Sequence, residues 1–205
     1  MSHAMRHVLA LSVLGLLLGF ATPGWSHESH GAKREPPALS RLFGGKFSLI
    51  DHEGARRSDE DFAGSYLLVS FGYTRCPTIC PTDLETASAA LDILDRKALP
   101  VQPLFVSVDP AVDRPEVLKA YLAPFHPRFI GLTGSEAEVR AAALAYRVHR
   151  RRVALDEDSR GAQEGYLVDH GSITHLMGPD GKFLTLFPFG TDAEFMAETI
   201  EGYLR

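Results

Sequence analysis

The pattern of apolar and polar positions places a strand–helix–strand unit near the centre of the chain. Residues 66–71 and 101–108 are compact apolar runs typical of buried strands. Between them, apolar residues recur at the three- and four-residue spacing of a helix face: Leu84, Ala87, Leu91 and Leu94. Thr82 and Glu85 have the S/T-x-x-E arrangement of a capping box, which predicts that the helix begins there.

The flanking segments extend this unit to a complete fold. Residues 46–50 predict an N-terminal strand that runs into a turn at 51–54. The later pattern predicts helices at 115–121, 135–146 and 192–203, strands at 129–132, 166–168, 173–177 and 182–187, an extended segment at 147–153, and a charged loop at 154–165. Strands that alternate with helices, followed by a hairpin and a closing helix, indicate an α/β sandwich with an N-terminal β extension.

Cys76 and Cys80 are the two cysteines of the chain, and they lie where the strand 66–71 gives way to the helix. A cysteine pair at this junction points to the thioredoxin-like version of the sandwich. Two thiols one helical turn apart can close a disulfide or bind one soft metal ion. A helix N-terminus stabilises the thiolate, which is the reactive form in both cases.

The spacing of the pair favours a metal. Three residues separate Cys76 from Cys80, one more than in an ordinary redox pair, and this suits two sulfurs around a single ion, although a disulfide stays open. A structural zinc site would need two further ligands, and the sequence offers no obvious second pair. Two thiolates and an imidazole suit Cu(I), which is soft and accepts few ligands.

His170 is the candidate for the imidazole. The other histidines lie in the N-terminal segments, in turns or in an arginine-rich stretch, except His175, which lies inside a predicted strand and is expected to face the core or solvent. His170 follows the strand 166–168, and in a thioredoxin-like topology this part of the chain passes over the cysteine loop.

The N-terminus predicts export. Residues 8–21 are an uninterrupted apolar run behind Arg6, and Thr22-Pro23-Gly24 follows, which is the layout of a secretory signal with a cut after Ser26. The alternative is an N-terminal membrane anchor, although a spanning helix needs about 20 apolar residues. We therefore interpret 1–26 as signal or anchor, 27–43 as a flexible tether and 44–205 as the folded domain, placed in a bacterial periplasm or at the outer face of the inner membrane.

Charge and composition exclude a nucleic-acid-binding protein and a small disulfide-stabilised scaffold. The formal net charge is −5 and acidic and basic residues are interspersed, so the sequence shows no basic patch of the kind that binds nucleic acid. Two cysteines are too few for a disulfide scaffold, so the fold must depend on its apolar core. In an oxidising compartment the thiol pair needs a reductant before it can bind metal.

Four segments together resemble the Sco/SenC family of copper proteins: Phe71-Gly72-Tyr73-Thr74-x-Cys76-Pro77-x-x-Cys80-Pro81, Ser107-Val108-Asp109-Pro110-x-x-Asp113, Gly131-Leu132-Thr133-Gly134 and Val168-Asp169-His170. The resemblance implies a thioredoxin-like domain that binds one copper ion, Cu(I) and also Cu(II), through Cys76, Cys80 and His170. It also implies delivery of copper to the dinuclear copper site of cytochrome c oxidase, or preparation of that site. The implied partners are the oxidase copper-site subunit, a copper donor chaperone and a thiol reductant.

Three functions stay open at this point. The first is a copper chaperone, which is a binding protein rather than an enzyme. The second is a dedicated thiol–disulfide oxidoreductase with Cys76 and Cys80 as catalytic residues, and the third is a redox or copper sensor. Thioredoxin-type reductases place a cis-proline opposite the cysteines. Ser172 takes that place here, which disfavours a general disulfide reductase.

Charged and polar residues near the cysteine motif lead to further predictions. Arg75 and Thr78 depart from the usual family pattern, and the charge of Arg75 is expected to favour the ionised form of the cysteines. Asp109 and Asp113 either orient the cysteine loop or touch a partner, or they serve the turn and cap the helix that Pro115 opens. We favour capping.

Overall fold

A computed structural model of the chain describes residues 43–155 and 165–204. The predicted signal or anchor, nearly all of the tether and most of the charged loop 154–165 lie outside these residues. The described strands are β1 Ser48–Asp51, β2 Arg56–Ser58, β3 Leu67–Gly72, β4 Gln102–Ser107, β5 Ile130–Thr133, β6 Arg150–Ala154, β7 Tyr166–His170, β8 Ile173–Met177 and β9 Phe183–Pro188. The helices are α1 Ile79–Arg96, α2 Pro115–Leu122, α3 Glu136–Ala145 and α4 Ala193–Leu204, and Asp59–Phe62 forms a short 3₁₀ turn. None of these helices combines the length and apolar character of a membrane span.

Seven strands form a central sheet in the order β2-β1-β5-β4-β3-β8-β9. β3, β4 and β5 are parallel, and α1 and α2 provide the crossovers between them. The other pairings in this sheet are antiparallel. The α/β sandwich is therefore confirmed, with β1 and β2 as the N-terminal β extension. The sequence pattern missed β2 and the 3₁₀ turn.

The strand order brings three loops to one edge of the sheet. Gly72 at the end of β3 pairs with Ser107 at the end of β4, so the loops that follow these strands lie side by side. β8 runs antiparallel to β3 and pairs Thr174 with Ser70, so the segment that enters β8 lies at the same edge. The cysteine loop, the loop after β4 and the turn at His170 therefore converge.

Each face of the sheet has its own apolar core. One cluster joins the sheet to α1, α2 and α4, and its fully buried members include Leu68, Leu84, Leu91, Phe105, Leu176 and Ile200. The other lies between the sheet and α3, and it includes Leu49, Val69, Leu104, Leu132 and Val139. Adjacent strand residues such as Leu68 and Val69 belong to opposite clusters, as the alternation of side chains along a strand requires.

β6 and β7 form a separate antiparallel hairpin, and His170 is the last residue of β7. Arg150 pairs with His170 and Arg152 with Val168, whose side chain is buried in the cluster on the α3 side. The hairpin exchanges its strand hydrogen bonds within this two-stranded sheet. Its position over the cysteine loop therefore depends on side-chain contacts.

The predicted start of α1 is wrong. The helix begins at Ile79 with Thr78 as N-cap, and Thr82 lies inside the helix, where its hydroxyl donates to the Thr78 carbonyl at 2.9 Å. The amide groups of a first helical turn have no partner within the helix, so Pro81 in that turn forfeits no hydrogen bond. The helix can therefore begin before Pro81, and it takes Cys80 into its first turn.

Candidate metal centre

The two cysteines lie on either side of the N-terminus of α1. Cys76 is half-buried, Cys80 is 3% exposed, and both are free thiols. The Cys76 amide donates to the Tyr73 carbonyl at 3.2 Å, and the Cys76 Sγ accepts from the Cys80 amide at 3.4 Å. The Cys76 sulfur therefore accepts a hydrogen bond from an amide of the first helical turn, which has no acceptor within the helix.

His170 faces the sulfurs with an available lone pair. Its Nε2 lies 3.8 Å from Cys80 Sγ, and its Nδ1 lies 3.0 Å from the Gly171 carbonyl oxygen. A carbonyl oxygen only accepts, so Nδ1 carries the ring proton and Nε2 is the lone-pair nitrogen. The ring meets Tyr73 edge-on, with 5.8 Å between centroids. The structure thus brings His170 to the cysteine pair.

The two thiols share one proton unequally. The hydrogen bond from the Cys80 thiol is the main cause that lowers the pKa of Cys76, and smaller contributions come from the amides of Cys80 and Thr78 against the opposing effect of burial. The same bond and burial raise the pKa of Cys80. The site therefore holds one thiolate and one thiol at neutral pH.

The donor set fits a soft ion. Among residues 43–155 and 165–204, no three His, Cys, Asp or Glu side chains already surround a common point as a metal site does. Cys80 nevertheless joins the other two candidate ligands, because its Sγ lies 3.8 Å from His170 Nε2 and its amide donates to Cys76 Sγ at 3.4 Å. Two sulfurs and one neutral imidazole are the donors that suit Cu(I), whereas zinc requires a fourth ligand.

Asp109 joins the cysteine loop to the hairpin. Its buried carboxylate accepts from Arg75 Nη2 at 3.2 Å, from Arg152 Nη2 at 3.1 Å and from the Tyr166 hydroxyl at 2.8 Å. Both guanidinium groups also lie 4.8 Å from the centre of the Tyr166 ring. Arg75 belongs to the loop, Arg152 to β6 and Tyr166 to β7, so a single carboxylate holds all three segments.

Asp113 has a related role within the loops. It accepts from the Thr74 hydroxyl and the Ser107 hydroxyl, each at 2.7 Å, and burial raises its pKa. The N-cap of α2 is Arg114, which makes no side-chain capping bond. The capping role favoured for Asp109 and Asp113 is therefore wrong, and their side chains orient the cysteine loop instead.

The Arg75 guanidinium contacts Asp109 and Tyr166, and its predicted effect on the sulfurs stays a prediction. The Arg75 guanidinium is paired with Asp109 and stacked on Tyr166, and the main group that lowers the pKa of Cys76 is the Cys80 thiol. The carboxylate balances its charge. Arg75 therefore anchors the loop, which a count of charges near the motif could not reveal.

The remaining histidine candidate is a core residue. His175 is 1% exposed and packs against aromatic rings: Phe43, Phe71, Tyr146 and Phe183. Burial lowers its pKa to about 4, so it is uncharged at neutral pH. Of the two alternatives that the sequence left open for His175, core or solvent, the structure shows the core.

A further contact on the other side of the site escaped the sequence pattern. The Ser172 hydroxyl donates to Asp83 Oδ2 at 2.5 Å, and the Ser172 carbonyl accepts from the Phe189 amide at 3.3 Å. Burial raises the pKa of Asp83, and the bond from Ser172 opposes this rise. No cis peptide bond occurs in the described part of the chain, so the position discussed for a cis-proline is a trans serine.

Comparison with protein families and known proteins gives a consistent result. A family model described as SCO1/SenC matches residues 35–205. The chain is 41% identical over 161 residues to protein sco1 of Schizosaccharomyces pombe, which covers 78% of this chain and 60% of that protein. It is 42% identical over 166 residues to the human mitochondrial SCO1 homolog, covering 80% of this chain and 54% of that protein. The chain thus spans less than two thirds of the length of these relatives.

Solved structures agree with the fold. Copper-bound ScoI of Arabidopsis thaliana superposes with a TM-score of 0.71 at 35% identity, over 78% of this chain and 97% of that chain. BsSco, described as a Sco-family cytochrome c oxidase assembly protein with a disulfide switch, superposes with a TM-score of 0.62 at 25% identity, over 83% and 96% of the two chains. The predicted thioredoxin-like fold is confirmed.

Proposed function

This chain belongs to the SCO1/SenC family, and we propose that it carries one copper ion between Cys76, Cys80 and His170 for the assembly of cytochrome c oxidase. The observation that carries the proposal is the meeting of two cysteine sulfurs and the Nε2 atom of His170 at the first turn of α1. The Arabidopsis relative of the same fold is a copper-bound protein, and BsSco is an oxidase assembly protein.

The three side chains divide the work of holding Cu(I). The Cys76 thiolate is charged and half-exposed, so it meets the incoming ion first. Cys80 gives up its proton to solvent when its sulfur binds, so acid weakens the complex. His170 Nε2 supplies the neutral third donor, held in that tautomer by the Gly171 carbonyl. The burial of Cys80 limits access of water and oxidants to the ion.

The partners follow from this chemistry. An oxidase copper-site subunit accepts the ion at Cys76, the more exposed of the two cysteines, and a donor chaperone supplies it. The pair must be reduced before it binds, because a Cys76–Cys80 disulfide offers no thiolate. We therefore include a thiol reductant, and we place the folded domain outside the cytoplasm, tethered or released according to the fate of residues 1–26.

A dedicated thiol–disulfide exchange function is the second candidate, and the unequal thiols favour it. The Cys76 thiolate attacks a partner disulfide and forms a mixed disulfide, which releases one partner thiolate. Cys80, after losing its proton, attacks the Cys76 sulfur, closes the Cys76–Cys80 disulfide and releases the second partner thiol. The pair supplies both electrons, and a half-buried nucleophile next to a more deeply buried resolving thiol suits this exchange.

Copper binding by the reduced protein tests the proposal. We expect one Cu(I) per wild-type chain in anaerobic competition with a chromophoric chelator, loss of tight binding in Cys76→Ser and Cys80→Ser, and weakened binding in His170→Ala. His149→Ala is the matched control, since His149 is an exposed histidine of the same hairpin region. Stoichiometric binding that survives all three ligand changes would refute the site. Reduction of a disulfide-bonded oxidase copper-site peptide by copper-free protein would favour the second candidate.

A further inference from the structure

The bond between Ser172 and Asp83 joins the two elements that bear the proposed ligands. Asp83 lies on α1, one helical turn after Cys80, and Ser172 lies two residues after His170. The serine hydroxyl donates to Asp83 Oδ2 across 89 residues of sequence. The bond therefore spans from the helix that positions one sulfur to the turn that positions the imidazole.

The turn from His170 to Ser172 needs such a contact. It connects β7, which belongs to the hairpin, with β8, which belongs to the central sheet. Gly171 has no side chain to pack, and His170 Nδ1 bonds to the carbonyl of its own neighbour Gly171. Asp109 holds the far side of the hairpin through Arg152 and Tyr166, and the Asp83 carboxylate holds the turn on the side of α1.

We propose that Asp83 is a positioning residue for His170, acting through Ser172 to keep Nε2 directed at the two sulfurs. The proposal rests on the copper site proposed above, and it assigns Asp83 no contact with the ion. The carboxylate acts as a hydrogen-bond acceptor, so an amide oxygen can replace it. Loss of a group that orients a metal-bound histidine costs about 10- to 100-fold in metal affinity, and we expect the lower end because Asp83 acts at one remove.

Four variants and one control distinguish a positioning role of Asp83 from a general loss of folded structure. Asp83→Ala and Ser172→Ala each remove the bond, and the double variant removes both partners. Asp83→Asn keeps an acceptor without the charge. Glu85→Ala is the matched control, because Glu85 is an exposed carboxylate on the same helix. Circular dichroism of each variant reports whether α1 and the sheet are intact.

The measurements are Cu(I) affinity of the reduced protein and ¹⁵N NMR of the His170 ring in the copper-free protein. We expect Asp83→Ala, Ser172→Ala and the double variant to lose about 10-fold in affinity to the same extent, since all remove one bond. Asp83→Asn and Glu85→Ala should keep the wild-type affinity. In the copper-free protein, the Nδ1-protonated form of His170 should give way to averaged ring signals in both alanine variants.

The outcomes distinguish this proposal from the copper site itself. Additive losses in the double variant, or an Asp83→Asn variant as weak as Asp83→Ala, would overturn the positioning role in a protein that binds copper normally. Unchanged His170 ring signals in both alanine variants would overturn it as well. If the wild-type protein binds no Cu(I), the copper site fails, and the NMR measurement still decides whether Asp83 orders His170.

Discussion

His175 makes the stability of the fold sensitive to acid, independently of copper. Its imidazole is 1% exposed among aromatic rings, and burial lowers its pKa from 6.5 to about 4. A buried neutral base is harder to protonate in the folded chain than in the unfolded chain. Stability is therefore fully present above pH 6.5 and is lost progressively as the pH falls from 6.5 towards 4.

The size of the loss follows from this shift. Between pH 7 and pH 4.5, a fall in pKa from 6.5 to about 4 corresponds to a loss of about 2.5 kcal/mol in the free energy of unfolding. His175→Leu replaces the imidazole with an apolar side chain of similar volume and removes the titrating group. The variant should therefore lose about 2.5 kcal/mol less than wild type over the same interval.

Urea unfolding of the copper-free protein at several pH values provides the assay. Other groups titrate in both proteins, so the informative quantity is the difference between wild type and His175→Leu at each pH. His149→Gln, which changes an exposed histidine, is the control and should follow wild type. Parallel curves for wild type and His175→Leu would refute the reasoning, as would NMR titration of His175 in the folded protein near pH 6.5.

Three further predictions concern the site. Asp109→Asn should lower the free energy of unfolding by about 2 kcal/mol, because it leaves two partly exposed guanidinium groups without their carboxylate. The control Asp169→Asn, at an exposed ion pair, should change the free energy of unfolding far less in the same urea assay. Gly72→Ala should displace Cys80 and alter Cys76 alkylation, because the added Cβ would lie 2.9 Å from Cys80 Sγ. Gly131→Ala is the control: its added Cβ meets Leu122, so it should destabilise the fold and leave Cys76 alkylation unchanged. Cys80→Ala should move the pH profile of Cys76 alkylation by iodoacetamide to higher pH, because it removes the main group that lowers the pKa of Cys76. An unchanged profile would show that the thiolate is stabilised from elsewhere.

The elements of the fold could be predicted because their patterns are local. The apolar runs at 66–71 and 101–108 became β3 and β4, and the spaced leucines became the buried face of α1. The cysteine pair is local too, so its chemistry was visible in the sequence. β2 was missed because Arg56–Ser58 is short and polar, and only its pairing with β1 makes it a strand. The start of α1 was misplaced because a matching capping motif occurs one turn inside the helix.

The partners of charged side chains came from the tertiary structure, because the strand order alone brings them together. Asp109 meets Arg75 across 34 residues, Arg152 across 43 and Tyr166 across 57. No local pattern distinguishes these contacts from a capping aspartate or an arginine that activates a thiol. The ends of β3 and β4 and the start of β8 meet at one edge of the sheet. That convergence pairs Arg75 with Asp109 and brings Cys80 to Cys76 and His170 to Cys80.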